Sequence, residues 1–488
     1  MKDLQLSSKI HRISELKNIL SNENSTNDTL VDLYQKFSIK RINTFFDKLK
    51  TKGIASINVL FSLILTRILN ISVRALIFSG NIAKSEIEKD TFYRFKNDSK
   101  IDWRKLFYYF INRYLYLVKK YTKEQIKGIK CLIIDDSLLE KTGKKIEFIG
   151  RVFDHITKNT KLGFRMLTLG FWDGKSFNPL DFSFHREKGS TEKYPYGLKK
   201  SELKERYSKK RNIKSAGYKR VKELDKSKIE IAIEMLKRAV KHNIIADYVL
   251  CDSWFMCEEF IKEIRKIRKG IIHVLGMCKM DRRKYLYNNK EFTAKELLRK
   301  YRKQIKRCRK IKSHYIRLVV DYKGTKLQLF FTRQTKQKDW KLLITTDLAL
   351  TYIKAVEIYQ IRWSIEVFFK ESKQYLQLGK SQSNDFDAQI ADTTISNIVY
   401  LILNLRKRFT DYETLGEIFR DEKKTINELN LWEKLWGLFL EMMLFLVEIF
   451  EVDIDELMKK IVVEQTGQEK IIFVLEKLKE AQTNKIAA

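Results

Sequence analysis

Five cysteines are all that this 488-residue chain carries, and no two of them form a Cys-x-x-Cys pair. An odd number scattered as Cys131, Cys251, Cys257, Cys278 and Cys308 argues against a disulfide framework, and the expected compartment is the reducing cytoplasm. No Cys/His cluster stands at ligand spacing, which argues against a structural zinc. The opening residues Met1-Lys-Asp-Leu-Gln-Leu-Ser-Ser lack the basic-then-apolar layout of a secretory signal. Long uncharged hydrophobic runs are missing too. Residues 55–71 contain Arg67, and residues 431–450 are interrupted by Glu433, Lys434, Glu441 and Glu448, so neither suits a bilayer and both read as packed helices. Proline is nearly absent, with 2 residues in all and none from 349 onward. There is no internal repeat and no low-complexity tract.

What is present is core-forming material and positive charge. A chain with 44% hydrophobic and 12% aromatic residues can bury a large core, and its length fits two to four domains. Lys and Arg number 97 against 61 Asp and Glu, a formal net charge of +36 that favours a polyanionic partner, nucleic acid first. The same composition, rich in Ile and Asn, also suits a Lys-rich proteome, so charge alone does not decide.

Residues 1–125 read as helical, with apolar periodicity in 30–49, 55–71 and 103–118 and few strand signals. A helix at about 84–97 is the candidate for entering a DNA groove. Lys130-Cys-Leu-Ile-Ile-Asp135 then opens a run of strands that continues at 147–156, 165–172 and 177–184. Residues 186–226, with 15 Lys and Arg against 6 acids, read as an extended surface segment. A helix at 226–242, a strand at 248–251, a helix at 256–268 and a strand at 270–275 follow. Meandering strands followed by βαβ alternation predict an α/β fold with a ribonuclease-H-like mixed sheet. Residues 277–345 interrupt the alternation as a β-rich insertion, whose run 279–313 holds 15 Lys and Arg against 3 acids. The expected organisation is a helical DNA-binding region (1–125), a catalytic core in two parts (126–276 and 346–400), the insertion (277–345) and a helical C-terminal region (401–488).

Chemistry concentrates in Tyr359-x-x-Arg362-x-x-x-Glu366-x-x-x-x-x-x-Lys373. In one predicted helix, steps of 3, 4 and 7 return to the same face, so the four side chains form a stripe. The carboxylate can hold a metal, Arg362 and Lys373 can bind phosphates, and Tyr359 can donate a hydrogen bond. An ordinary i,i+4 ion pair beside a packed tyrosine would look the same. Two further acids separate these readings. Asp136 is expected at the end of the first core strand and Asp252 at the end of the 248–251 strand, hard oxygen ligands suited to two Mg²⁺ ions roughly 4 Å apart. Asp135 competes with Asp136, and strand alternation sends the two to opposite faces.

These residues resemble the bacterial insertion-sequence DDE transposases that carry a Tyr-Arg-Glu-Lys signature, over about residues 90–400. Asp135-Asp136-Ser137 with Lys141, Gly143 and Lys144 is similar to the family's first-acid motif, and Cys251-Asp252-Ser253 to its second. Thr91-Phe-Tyr-Arg-Phe95 with Trp103 is similar to the end of its DNA-binding region. The resemblance implies a ribonuclease-H-like core with a β-rich insertion, and Asp136, Asp252 and Glu366 as catalytic ligands of two Mg²⁺ or Mn²⁺ ions. It also implies DNA contacts from Tyr359, Arg362 and Lys373, and hairpin-mediated cut-and-paste chemistry without a covalent protein intermediate. Trp340, expected on the last strand of the insertion, corresponds to the aromatic that receives a flipped base; a buried core tryptophan is the other reading of it.

Asp154, His155 and His185 are lesser candidates near the metal site. The expected partners are double-stranded DNA, as element ends and target, and a second copy of the chain, because two ends are processed together; the apolar helices near 431–450 are one candidate for that contact. Two other readings stay open: a non-catalytic DNA-binding protein on the same fold, and a stand-alone nuclease.

Overall fold

A computed structural model describes residues 42, 44–46, 55–78, 88–122, 128–189, 191–335, 339–409 and 414–420. The chain divides into two compact units, Gln35–Arg420 and a second made of Met1–Tyr34 with Asp421–Ala488. The second unit lies outside the described residues, and with it the candidate dimer helices at 431–450.

Cys131-Leu-Ile-Ile134 is buried side chain by side chain, as expected of a strand covered on both faces. It begins strand β1 (Cys131–Glu140), followed by β2 (Gly150–Asp154), β3 (Asn159–Trp172) and β4 (Phe177–His185). β3 is antiparallel to all of β1, and its opposite edge is shared by β2 over its first part and β4 over its second. β5 (Tyr248–Cys251) lies parallel to β1, and β6 (His273–Cys278) parallel to β5. Parallel neighbours need a crossover; helix α8, defined below, supplies it between β5 and β6.

Six more strands extend the same sheet: β7 (Lys284–Tyr287), β8 (Lys290–Thr293), β9 (Lys306–Cys308), β10 (Ser313–Tyr322), β11 (Thr325–Gln334) and β12 (Lys341–Thr345). β12 pairs antiparallel with β6, and the order continues β12-β11-β10-β7-β8, with β9 also on β10. The 277–345 segment is therefore hydrogen-bonded onto the central sheet. Two hairpins turn on pairs of left-handed residues, Asn288-Asn289 (φ 49° and 61°) and Lys323-Gly324 (φ 50° and 83°), a conformation that Asn and Gly accept readily and that matches strand twist.

Helices among the described residues include α1 (Ser56–Leu69), α2 (Val73–Phe78), α3 (Lys89–Lys96), α4 (Trp103–Tyr121), α5 (Lys200–Lys204), α6 (Ala216–Glu223), α7 (Lys228–Lys241), α8 (Glu258–Lys266), α9 (Ala294–Lys300), α10 (Tyr352–Gln360), α11 (Trp363–Tyr375) and α12 (Phe386–Arg408). α12 is buried over nearly its whole length, and α1, α3 and α4 pack on it. Polar side chains on such a helix need partners. Asp392 accepts from Arg67 of α1 at 2.5 Å and pairs with Lys96 of α3 at 3.2 Å; Arg408 meets Asp173 at 2.8 Å; Asn404 donates to the Phe177 carbonyl at 2.9 Å. No helix among the described residues is long and apolar enough to cross a membrane.

Three expectations are corrected here. The 186–226 segment lies mostly at the surface, as expected, but it is not extended throughout: it carries α5 and α6, and the Arg211 side chain is buried against Glu147 (2.5 Å) and Asp387 (3.0 Å), while Lys209 pairs with Asp385 and Asp387, and Arg220 with Glu223. Lys209 and Arg211 find acids far away in sequence, which composition does not reveal. Residues 359–373 do not form one regular helix. α10 ends at Gln360 and α11 starts at Trp363, joined by Arg362 N–H to Tyr359 carbonyl and Ile365 N–H to Arg362 carbonyl bonds of i→i+3 type. Trp340 sits one residue before β12, not on it.

Candidate active site

β5 ends at Cys251, which is paired with Ile134 of β1. β1 itself runs on to Glu140, so Asp135 and Asp136 lie in mid-strand and not at the strand's end as the sequence suggests. Beyond Ile134, β1 keeps β3 on one edge and has lost β5 on the other. Asp252, the first residue past β5, stands at this gap in the sheet.

Alternation then divides the neighbouring acids. Asp135 faces the signature: Arg362 Nη1 donates to Asp135 Oδ2 at 2.8 Å, while Nη2 donates to Glu366 Oε1 at 2.6 Å. One guanidinium thus joins strand β1 to helix α11. Asp136 faces the other side, where Lys228 Nζ at the start of α7 donates to Oδ2 at 2.6 Å and Arg165 of β3 to Oδ1 at 3.3 Å. Asp252 accepts from the Trp254 N–H at 3.0 Å.

The electrostatics of the gap follow from burial and crowding. Burial pushes the Asp135 carboxyl up to about 7 against the pull of Arg362, with Asp252 and Asp136 adding repulsion. Burial and the charge of Asp136 also raise Asp252. These acids and Glu366 offer only hard oxygen donors, the set that suits Mg²⁺ or Mn²⁺. Among the described residues no three His, Cys, Asp or Glu side chains already stand together closely enough to hold an ion. Arg362 neutralises Asp135 and Glu366 instead, and Lys228 and Arg165 neutralise Asp136.

The remaining signature residues are tied down. Lys373 Nζ donates to Ser137 Oγ at 2.7 Å and to the Leu138 carbonyl at 2.9 Å, and burial lowers its pKa. Tyr359 is largely enclosed, which pushes its phenol up to about 12. Lys141 is buried and donates to the Gly379 and Ser381 carbonyls, at 2.6 and 3.0 Å, pinning the end of β1 to the loop after α11. Its ammonium is brought down to about 8 by burial. Trp340 lies 4.9 Å from the guanidinium of Arg333. His185 is buried in β4 and bonded to Ser183 at 2.7 Å, Asp154 caps a turn through the Ile156 N–H and Thr157, and His155 lies edge-on to Phe153.

Sequence reasoning passed over Arg165, Lys228 and Trp254. Arg165 sits on the strand opposite β1, and Lys228 opens an amphipathic helix whose cap is Ser227; only pairing brings them to Asp136. Trp254 carried a visible sign, an aromatic two residues after Asp252.

Residues 71–279 match the family model of the DDE superfamily endonucleases. The matched stretch contains Asp135, Asp136 and Asp252 and stops before the 359–373 signature. It supports a DDE-type nuclease or transposase, a class that acts on DNA and generally uses divalent metal ions. No curated protein matches the chain.

Proposed function

We propose that this chain is the DNA transposase of an insertion sequence, cutting DNA at the element's ends and joining the freed strands to a target by cut-and-paste. Asp252 and Glu366 hold two Mg²⁺ or Mn²⁺ ions together with one acid of the adjacent pair: Asp136, the acid of the sequence motif, or the alternative Asp135, which lies on the signature's side of β1 and shares Arg362 with Glu366. The observation that carries this reading is the break in the sheet after Cys251, where Asp252 meets the Asp135-Asp136 pair and Arg362 links Asp135 to Glu366. When bound, the ions supply Lewis-acid stabilisation of charge on the reacting phosphate oxygens.

The chain's own residues do the rest. Arg362 releases Glu366 and turns to a phosphate oxygen, a partner its planar fork fits as well as a carboxylate. Lys228 and Arg165 make the same exchange at Asp136. Lys373, bonded to the strand next to Asp136, fixes the acid's height relative to α11. The net charge of +36 draws DNA to the protein, and basic residues of 279–313 hold its backbone. Two ends processed together call for a homodimer on DNA, and the protein works in the cytoplasm at the nucleoid.

The test is cleavage of end-bearing DNA in Mg²⁺ by wild type and by Asp136→Asn, Asp252→Asn, Glu366→Gln and Asp135→Asn. Loss of cutting with retained DNA binding is the expected result for the first three. Full activity in any of them removes that acid from the site, and full activity in Asp136→Asn with loss in Asp135→Asn moves the first ligand by one residue. The description of the matched family as endonucleases favours one second reading, a nuclease that cuts without joining. A strand-transfer assay with labelled ends separates the two.

A further inference from the structure

Trp254 follows Asp252 by two residues and is 47% exposed. The backbone N–H of Trp254 is bonded to Asp252, and its ring meets that of buried Phe255 edge-on, with centroids 5.0 Å apart. The Lys228 ammonium lies 4.0 Å from the centre of the indole. That same ammonium donates to Asp136 at 2.6 Å. A half-exposed indole with a cation over it thus stands two residues from Asp252 and shares that cation with Asp136. Core packing does not account for it, because the ring is not in the core.

We propose that Trp254 is a stacking platform for one unpaired base of the DNA strand held at Asp136 and Asp252, with Lys228 contacting the phosphate beside that base. The inference rests on DNA being the substrate, as proposed above. An exposed π-face adjoining a cation is the combination that binds single-stranded nucleic acid without regard to sequence. In a duplex both faces of a base are covered by its neighbours, so only a frayed or extruded nucleotide can use the ring. Trp340 differs in standing against Arg333 and not beside an aspartate of the gap.

The experiment uses the full chain without divalent ions, so that binding is read in the absence of cutting. Two labelled duplexes of one sequence are compared, one fully paired and one with an unpaired end carrying 2-aminopurine. Wild type is expected to bind the unpaired-end duplex on the order of ten-fold tighter and to quench the 2-aminopurine by stacking. Trp254→Leu is expected to bind both duplexes equally and to leave the probe bright, whereas Trp254→Phe keeps part of each effect. Trp363→Leu, at the other exposed tryptophan near the acids, keeps both effects in full. Should Trp254→Leu fail to fold by circular dichroism, Trp254→Phe and Lys228→Met decide. A weaker quench in the first and a salt dependence shallower by about one phosphate contact in the second support the proposal; both unchanged overturn it. Undiminished preference and quench in a folded Trp254→Leu also overturn it. Wild type that binds the two duplexes alike overturns the stacking role alone, while wild type that binds neither overturns the DNA reading beneath it.

Discussion

Arg362 donates to Asp135 at 2.8 Å across more than two hundred residues of sequence, and with its other terminal nitrogen it holds Glu366. A residue that reads as a phosphate ligand in the sequence is therefore also the neutralising charge of the site before DNA arrives. Replacing Arg362 with Gln strands two part-buried carboxylates. The expected cost is about 1–3 kcal/mol in metal-free urea denaturation, below that of a fully buried pair because both acids retain some exposure. Added Mg²⁺ should recover part of it by binding the same acids. Unchanged stability without metal would mean that Arg362 does not hold these acids in solution.

The link between the N-terminal helices and α12 predicts a pH effect with a definite sign. Burial alone would raise the Asp392 carboxyl, but the charges of Lys96 and Arg67 and the Ser381 hydroxyl outweigh it and bring it down to about 2. A carboxyl depressed in the folded state stabilises at neutral pH, and that contribution is lost as pH falls from about 4 towards 2. The gap in unfolding free energy between wild type and Asp392→Asn should therefore be widest above pH 5 and narrow by on the order of 2 kcal/mol by pH 2. A gap independent of pH over that range would disprove the coupling.

Gly163 tests the pairing that fixes the height of the acids. A Cβ built there meets the Leu139 carbonyl oxygen at 2.2 Å, a backbone atom that cannot rotate away. Gly163→Ala is expected to force β3 from β1 at the Glu140 end and to destabilise the protein by roughly 2 kcal/mol or more. Thermal melting near the wild-type temperature would show that the strands separate there at little cost.

If the exposed charges of β9 and its surroundings hold DNA phosphates, Lys306→Glu with Arg307→Glu should weaken binding equally for all sequences. The slope of log affinity against log salt should also become shallower, by about 0.9 for each phosphate contact removed. A binding isotherm of unchanged salt slope would place the phosphate contacts elsewhere.

The sequence made the mixed sheet legible wherever burial was two-sided: Cys131-Leu-Ile-Ile134 and Tyr248-Val-Leu-Cys251 are continuous apolar runs, and both are buried strands. Strand alternation likewise foretold that Asp135 and Asp136 part company. The break at Ile361 and Arg362 was not legible, because both residues keep right-handed helical dihedrals and only the hydrogen-bond step tightens. The fate of Lys373, Lys141 and Arg211 was hidden for another reason. Each finds its partner across the fold, and a basic side chain in a basic sequence gives no sign of which acid or carbonyl it will meet.

The strand that delivers Asp252 is separated from the β10-β11 hairpin only by β6 and β12, all joined by main-chain hydrogen bonds. The β10-β11 hairpin and Asp252 are thus joined through paired strands, β11 to β12 to β6 to β5, and not through a loop. On the function proposed above, gripping a long, stiff polymer at the periphery and aligning its reacting phosphate at the centre become one mechanical act.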